Sequence, residues 1–132
     1  MSAKEPEPPM PTAAEVDILA ALWRLGPATV REVHDALGKD CGYTTTLKQM
    51  QLMTEKGLLV RSERFRSHVY ESAEPKQQMQ KRIAGDLLRR VFDGSAAGLV
   101  MGALGAKTAS PEELTEIRQM IDVFEKKKRG AK

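Results

Sequence analysis

The chain has 132 residues, of which 41% are hydrophobic and 30% are charged, a composition that favours one soluble domain or a small domain with an appendage. Its net charge of +3 allows a nucleic acid partner without requiring one, and the basic surplus lies in residues 75–132, with 12 Lys or Arg against 7 Asp or Glu. No apolar run approaches the roughly 20 residues of a membrane-spanning helix and no secretory signal begins the chain, which predicts a cytoplasmic protein without membrane insertion.

Start and stop signals for helices follow one another through the first part of the chain. Four prolines near the start predict that residues 1–10 form a disordered or extended arm. A capping box that begins at Thr12 predicts a first helix, which Gly26 ends. A second capping box at Thr29 predicts a short helix that ends at Gly38.

A third helix and a hairpin follow. Helical spacing from Tyr43 continues to Gly57, where glycine supplies a left-handed stop. The next stretch, LLVRSERFRSHVYES, is rich in Val, Phe and Tyr around a polar, basic centre, which is typical of a β-hairpin. Three helices and a hairpin over residues 11–74 have the layout of a winged helix-turn-helix domain.

The second half of the chain predicts three more helices. Pro75 opens the first, the glycine-rich SAAGLVMGALGAK forms the second, and Ser110 caps the last, which closes in the basic run KKKR. So short a segment can hardly bury its apolar stripes alone, so we expect residues 75–132 to be a helical dimerisation domain of a homodimer. The predicted interface consists of Met79, Ile83, Leu87, Leu99, Leu104, Leu114, Ile117, Ile121 and Phe124. The predicted fold class is mostly α with a small β-hairpin.

The third helix has two different faces when it advances by about 100° per residue. We expect its core side to contain Tyr43, Leu47, Met50 and Thr54, with Thr46 and Met53 at the margin. Its other side contains Thr44, Thr45, Lys48, Gln49, Leu52 and Lys56. Hydroxyls in a first helical turn suit phosphate contacts, and the longer Lys48 and Gln49 side chains suit base edges or phosphates in the major groove of DNA.

The hairpin supplies the other half of a predicted interface with double-stranded DNA. Three arginines, two serines and a histidine surround one glutamate at its centre, and residues 43–70 hold five Lys or Arg against two Asp or Glu. This excess predicts a wing on the sugar-phosphate backbone. The predicted DNA-binding residues are Tyr43, Thr44, Thr45, Lys48, Gln49, Lys56, Arg61, Arg64, Arg66, Ser67 and His68.

Two other interpretations stay open. Thr44 and Thr45 can serve only as caps of the helix, with Lys48 and Gln49 as part of a solvated face. Alternatively, the domain is a winged-helix protein-protein interaction module without DNA binding, since one fold hosts many functions. Leu52 on the outer face and the acidic balance of residues 1–74 favour that alternative.

Catalysis has no support in the sequence. No nucleophile elbow, phosphate loop, paired-histidine helix or four-cysteine pattern is present, so we expect no enzyme. The single cysteine, Cys41, excludes an internal disulfide, and with His34 and His68 as the only histidines it argues against a metal or cofactor. We interpret Cys41 as a small loop or core residue, His34 as a partly buried packing residue and Trp23 as a core residue.

Three stretches, ATVREVHDAL, YTTTLKQMQLMTEKGLLVR and HVY, resemble the penicillinase-repressor (BlaI/MecI) family of transcriptional regulators. The resemblance extends over residues 11–130. It implies a homodimeric repressor that binds a palindromic operator through the winged helix and dimerises through its C-terminal helices. It also implies that residues 43–56 form the recognition helix and that the wing is centred on Arg64 and Arg66.

The chain departs from the family pattern at several positions. Thr46 replaces a usual aliphatic residue, which implies a slightly looser core side, and Leu52 replaces an arginine or isoleucine on the outer face, which implies a different preferred operator. Members that respond to β-lactams are cut at an Asn-Phe bond after a membrane-bound sensor metalloprotease detects the drug; the corresponding stretch here, residues 101–104, lacks that bond. Copper-responsive relatives carry a cysteine-rich motif that is absent here. A sensor protease thus stays a candidate partner, and the inducing signal stays open.

Overall fold

A computed structural model describes residues 9–38 and 42–130 of the chain. Within these residues it contains α1 Ala13–Leu25, α2 Val30–Leu37, α3 Tyr43–Lys56, β1 Leu59–Arg64, β2 Ser67–Ser72, α4 Lys76–Arg90, α5 Ala96–Ala106 and α6 Pro111–Gly130. The predicted fold class, a winged helix followed by a helical segment, is confirmed. Most of the predicted arm and Cys41 lie outside the described residues. The chain divides into two compact units, Met1–Gly85, called here the winged-helix unit, and Asp86–Lys132, called the C-terminal unit.

Thr12 and Thr29 form the two predicted capping boxes, at the starts of α1 and α2. The Glu15 backbone N–H donates to the Thr12 hydroxyl at 3.2 Å, and the Thr12 N–H donates to the Glu15 carboxylate at 2.9 Å. Thr29 and Glu32 repeat both bonds at the same distances. Each box satisfies two amides that a helix start leaves unpaired, so both helices begin where the sequence predicts.

The core of the winged-helix unit lies between its helices and the hairpin. It contains Ile18, Leu19, Ala21, Leu22, Ala28, Val30, Val33, Met50, Met53, Leu58, Leu59, Tyr70 and Met79, and the half-buried Trp23 packs against it. Ala28 and Tyr70 exchange two backbone hydrogen bonds of 3.0 and 2.8 Å. These bonds tie the loop between α1 and α2 to strand β2 and thereby hold the hairpin against the helices.

The first half of α4 belongs to the winged-helix unit. Met79 is 0% exposed in its core, and Ile83 packs against the same cluster. The predicted place of Met79 in a dimer interface is wrong, because its own subunit encloses the side chain. Arg82 reinforces this attachment by donating to the Glu74 carboxylate at 2.6 Å. Helical spacing identifies a buried face, but it does not say which core that face contacts.

Phe92 packs on the glycines of α5 in the C-terminal unit. A Cβ atom added to Gly102 would lie 3.2 Å from the Phe92 ring, and one added to Gly98 would lie 3.5 Å from it. The glycines that weaken α5 as a helix therefore make room for an aromatic ring. No described residue of α5 or α6 is buried. Among residues 9–38 and 42–130, no helix has both the length and the apolar character to cross a membrane.

Candidate nucleic-acid interface

Helix α3 has a buried side and an exposed polar side. Its buried residues are Thr46, Met50 and Met53, and the half-buried residues beside them include Tyr43, Leu47, Gln49 and Thr54. The core side is therefore rotated from the predicted one, since Thr46 and Met53 lie at its centre and not at its margin. The exposed residues are Thr44, Thr45, Lys48, Gln51, Leu52 and Glu55. Most of the outer face that the spacing predicts is thus confirmed as exposed.

Thr44 and Thr45 do not cap α3. The N-cap residue is Gly42, which has no side chain to bond the first amides, and both threonines lie inside the first turn with exposed side chains. The interpretation of these threonines as helix caps is therefore wrong. Their hydroxyls instead lie at the positive end of the helix dipole, where anions are stabilised.

Three side chains connect α2 to the first turn of α3. Nδ1 of His34 lies 2.9 Å from the Thr46 hydroxyl oxygen, and the His34 ring packs edge-on against Tyr43 with ring centroids 6.0 Å apart. His34 is therefore the half-buried packing residue that the sequence predicts, and it gives the buried hydroxyl a partner. On the other side, the Arg31 guanidinium carbon lies 4.3 Å from the centroid of the Tyr43 ring. These contacts position the start of α3 against α2.

An open cavity of about 310 Å³ lies where α2, α3 and β2 meet. Its walls include Arg31, Tyr43, Ser67 and His68. Three of these are predicted DNA-binding residues, and the structure brings them together. Arg31 is an addition that the sequence pattern does not single out; its place in the first exposed turn of α2, twelve residues before Tyr43, is the available signal. A guanidinium stacked on an aromatic ring keeps its edge free to bind an anion.

The hairpin carries its basic side chains on both faces. In the antiparallel register Arg61 pairs with Tyr70 and Arg64 pairs with Ser67. Because side chains alternate along a strand, Arg61 and Arg64 lie on opposite faces of the ribbon. All five predicted wing residues are exposed, namely Arg61, Arg64, Arg66, Ser67 and His68. The wing can therefore present cations in two directions, with Arg64 and Arg66 nearest its tip.

The tip of the wing has unusual turn chemistry. Phe65 and Arg66 join the strands with positive φ values of 51° and 68°. Positive φ at both residues of a two-residue hairpin loop is typical of a type I′ turn, where Asn-Gly is preferred. A side chain in that conformation costs about 1–2 kcal/mol per residue. Phe65 is nevertheless 92% exposed. The sequence signal for this tip is a hairpin centre with no Gly, Asn or Asp.

Lys56 binds inside the protein. Its Nζ lies 2.6 Å from Oε2 of Glu15, whose side chain is buried. Burial raises the pKa of Glu15, but hydrogen bonds from Lys56 and the Thr12 backbone, with the charge of Lys56, outweigh it and leave the pKa below the ordinary value of 4.5. Lys56 is half-buried by this pairing. Its predicted place on the exposed DNA-binding face is therefore wrong.

The chain is similar to known transcription regulators. Two relatives, both called Transcriptional regulator BlaI, come from Mycobacterium tuberculosis strains CDC 1551/Oshkosh and ATCC 25618/H37Rv. Each is 29% identical over 82 residues, which are 60% of this chain and 59% of the relative, so the chain spans about three fifths of the length of these curated relatives. Residues 11–123 match the model of the Penicillinase repressor family. Because that match covers most of the sequence, the chain belongs to the penicillinase repressor family.

Proposed function

We propose that this chain is a transcriptional repressor that binds double-stranded DNA with α3 in the major groove and the wing on the backbone. The observation that carries the proposal is the exposed polar face of α3, with Thr44, Thr45 and Lys48, beside the exposed arginines of the wing. Membership of a repressor family and relatives named as transcription regulators support it.

Different side chains have different roles in this proposal. Thr44 and Thr45 bind phosphate oxygens at the start of α3, and Arg31, held flat on Tyr43, binds a neighbouring phosphate. Lys48 and Gln49 contact base edges, since their side chains are long enough to enter the groove. The wing arginines neutralise phosphates and so contribute affinity without base preference.

We extend the proposal to a homodimer on a palindromic operator. Leu114 and Ile117 on α6 are only half-buried, and Phe124 is 68% exposed. A groove of about 310 Å³ beside them is lined by apolar residues of α6, including Met120 and Val123. A second copy that covers these side chains gains about 25 cal/mol for each Å² of apolar surface removed from water. The proposed interface keeps Leu87, Leu99, Leu104, Leu114, Ile117, Ile121 and Phe124 and adds Met120 and Val123.

A footprint on the DNA upstream of its own gene tests the repressor. The wild-type protein should protect a palindrome, and its affinity should fall steeply with salt because each neutralised phosphate releases counterions. Arg64→Ala should weaken binding to all sequences and reduce the magnitude of the salt slope by about 0.9. Lys48→Ala and Gln49→Ala should instead change the preferred bases. Arg24→Ala, an exposed arginine on α1, is the matched control and should leave the slope unchanged. Absence of protection at low salt contradicts the proposal.

Leu52 favours a second candidate function, a protein-protein interaction module. Its side chain is 48% exposed on the same side of α3 as Lys48, and an apolar residue there suits a protein surface better than a phosphate. A module of this kind would leave DNA unprotected and co-purify with a partner that Leu52→Asp releases. Loss of the partner without any footprint would select this function.

A further inference from the structure

We propose that Phe65 at the wing tip inserts between neighbouring base pairs from the minor groove when the protein binds DNA. The inference rests on the proposed repressor function and assigns it a residue that distinguishes DNA sequences by their deformability. It starts from three properties of one turn: an exposed aromatic ring, a backbone that disfavours it, and an arginine on each side.

The turn places Phe65 where folding has little use for it. Its side chain is 92% exposed, so it contributes little to the core of its own subunit. Its φ of 51° and the φ of 68° at Arg66 favour Asn and Gly at both positions. Strain of this kind persists at sites where function requires a particular side chain. The ring therefore has its use in a contact outside the subunit.

The charges around the ring indicate what it contacts. Arg64 and Arg66 flank Phe65 in sequence, and both are exposed. A partner surface that accepts an aromatic ring between two guanidinium groups must be apolar in the middle and anionic on both sides. The minor groove of DNA has this pattern, with stacked bases between two phosphate backbones. Proteins that insert Phe, Leu or Met there partly unstack a base step and bend the duplex.

Insertion has a consequence for sequence preference. Pyrimidine–purine steps such as TA and CA unstack most easily, so an operator with such a step under the wing should bind more tightly. This preference needs no hydrogen bond to a base. It differs from the preference set by Lys48 and Gln49 in the major groove, because it depends on stacking strength alone.

The test uses duplexes selected by the full-length protein from a random library, with 2-aminopurine placed in turn at each step beside the α3 half-site. Unstacking raises 2-aminopurine fluorescence. The wild-type protein should raise the fluorescence at one step, and Phe65→Asn should abolish that rise and weaken binding about tenfold, the typical effect of a lost base stack. Phe65→Leu should retain most of the rise, because leucine is also an effective wedge.

Arg66→Asn is the matched control, since it relieves the same backbone strain one residue later. It should keep the fluorescence rise and reduce the magnitude of the salt slope by about 0.9, whereas Phe65→Asn should leave the slope unchanged. Phe65→Asn should also melt roughly 2–4 °C higher than the wild type, because asparagine tolerates the turn. That result excludes misfolding as the cause of weaker binding.

Two results overturn the inference and leave the repressor function standing. The first is wild-type binding without a fluorescence rise at any step, or equal affinity for Phe65→Asn. The second is loss of self-association by Phe65→Asn in sedimentation without DNA, which assigns the ring to a second copy of the chain. Failure of the wild-type protein to select any duplex contradicts the proposed function itself.

Discussion

The winged-helix unit and the C-terminal unit differ in where they keep their apolar side chains. Within the described part of the chain, every buried apolar residue lies between Ile18 and Met79. In the C-terminal unit, Val91, Met101, Met120 and Phe124 are all more than half exposed. Both units have amphipathic helices, so helical pattern alone does not separate them. What separates them is whether the same chain supplies a surface that covers the apolar side.

This difference assigns different origins to the stability of the two units. The winged-helix unit contains a core of side chains from three helices, two strands and the start of α4. Its free energy of unfolding should therefore not depend on protein concentration. In the C-terminal unit, only the Phe92 ring on α5 provides an equivalent contact among the described residues. We expect this unit to gain most of its stability from a second copy, so its melting should depend on concentration.

The largest expected effect comes from charging the apolar face of α6. Ile117→Asp combined with Ile121→Asp puts two carboxylates into the proposed interface, where they lack partners. The variant should be monomeric by sedimentation. It should bind its operator about 10²–10⁴-fold more weakly, because a monomer loses the second half-site as an intramolecular event.

Thr115→Asp is the control for that experiment, since it adds charge to an exposed position on the other side of α6. It should leave both the oligomeric state and the operator affinity unchanged. A double variant that stays dimeric would instead show that α6 packs within its own subunit. In that case the contrast between the two units would disappear.

A pair of methionines tests the same contrast at the level of stability. Met50 is 0% exposed and Met120 is 56% exposed. Met50→Ala should lower the free energy of unfolding by about 2–5 kcal/mol at every protein concentration, because it leaves a cavity in the core. Met120→Ala should have no effect on the isolated subunit and should shift only the concentration-dependent melting. Chemical denaturation at two protein concentrations distinguishes them, and equal losses for both variants would refute the distinction.

The sequence predicts local features of this fold well and long-range ones poorly. The capping boxes at Thr12 and Thr29 and the glycine stop at Gly57 lie where the pattern puts them, because each depends on atoms within a few residues. The contact of Met79 with the winged-helix core is different. Its stripe fits either unit by spacing, and only the path of the chain decides between them.

The candidate interface shows the same limit. Exposure of Thr44, Thr45 and the wing arginines follows from helical and strand periods. Lys56 has the same period but is diverted by Glu15, 41 residues earlier in the chain, and no local pattern encodes that pair. Arg31 joins the site through the Tyr43 ring in another helix. Residues thus enter or leave the site through contacts between elements, which sequence spacing does not specify.

The smallest expected effect compares a carboxylate from each unit. Glu15 in the winged-helix unit is buried and contacts Lys56 at 2.6 Å, whereas Asp86 in the C-terminal unit lies 3.6 Å from the exposed Arg90 one helical turn away. Glu15→Gln should lower the free energy of unfolding at pH 7 by about 1–2 kcal/mol, as expected for a buried hydrogen bond to a charged group. Asp86→Asn should change it by less than about 0.5 kcal/mol, since exposed pairs of this spacing are weak.

The pH dependence gives this last comparison its sign. Because the folded-state pKa of Glu15 lies below 4.5, its stabilisation is present above pH 4.5 and is lost as the pH falls through the folded-state pKa. The difference between wild type and Glu15→Gln should therefore shrink with acidification, as urea titrations from pH 7 to pH 3 would show. A difference that stays constant over this range would mean that the amide disturbs packing and that the charge of Glu15 contributes nothing. The pair would then be a surface contact like Asp86 and Arg90, and its ionisation would not distinguish the two units.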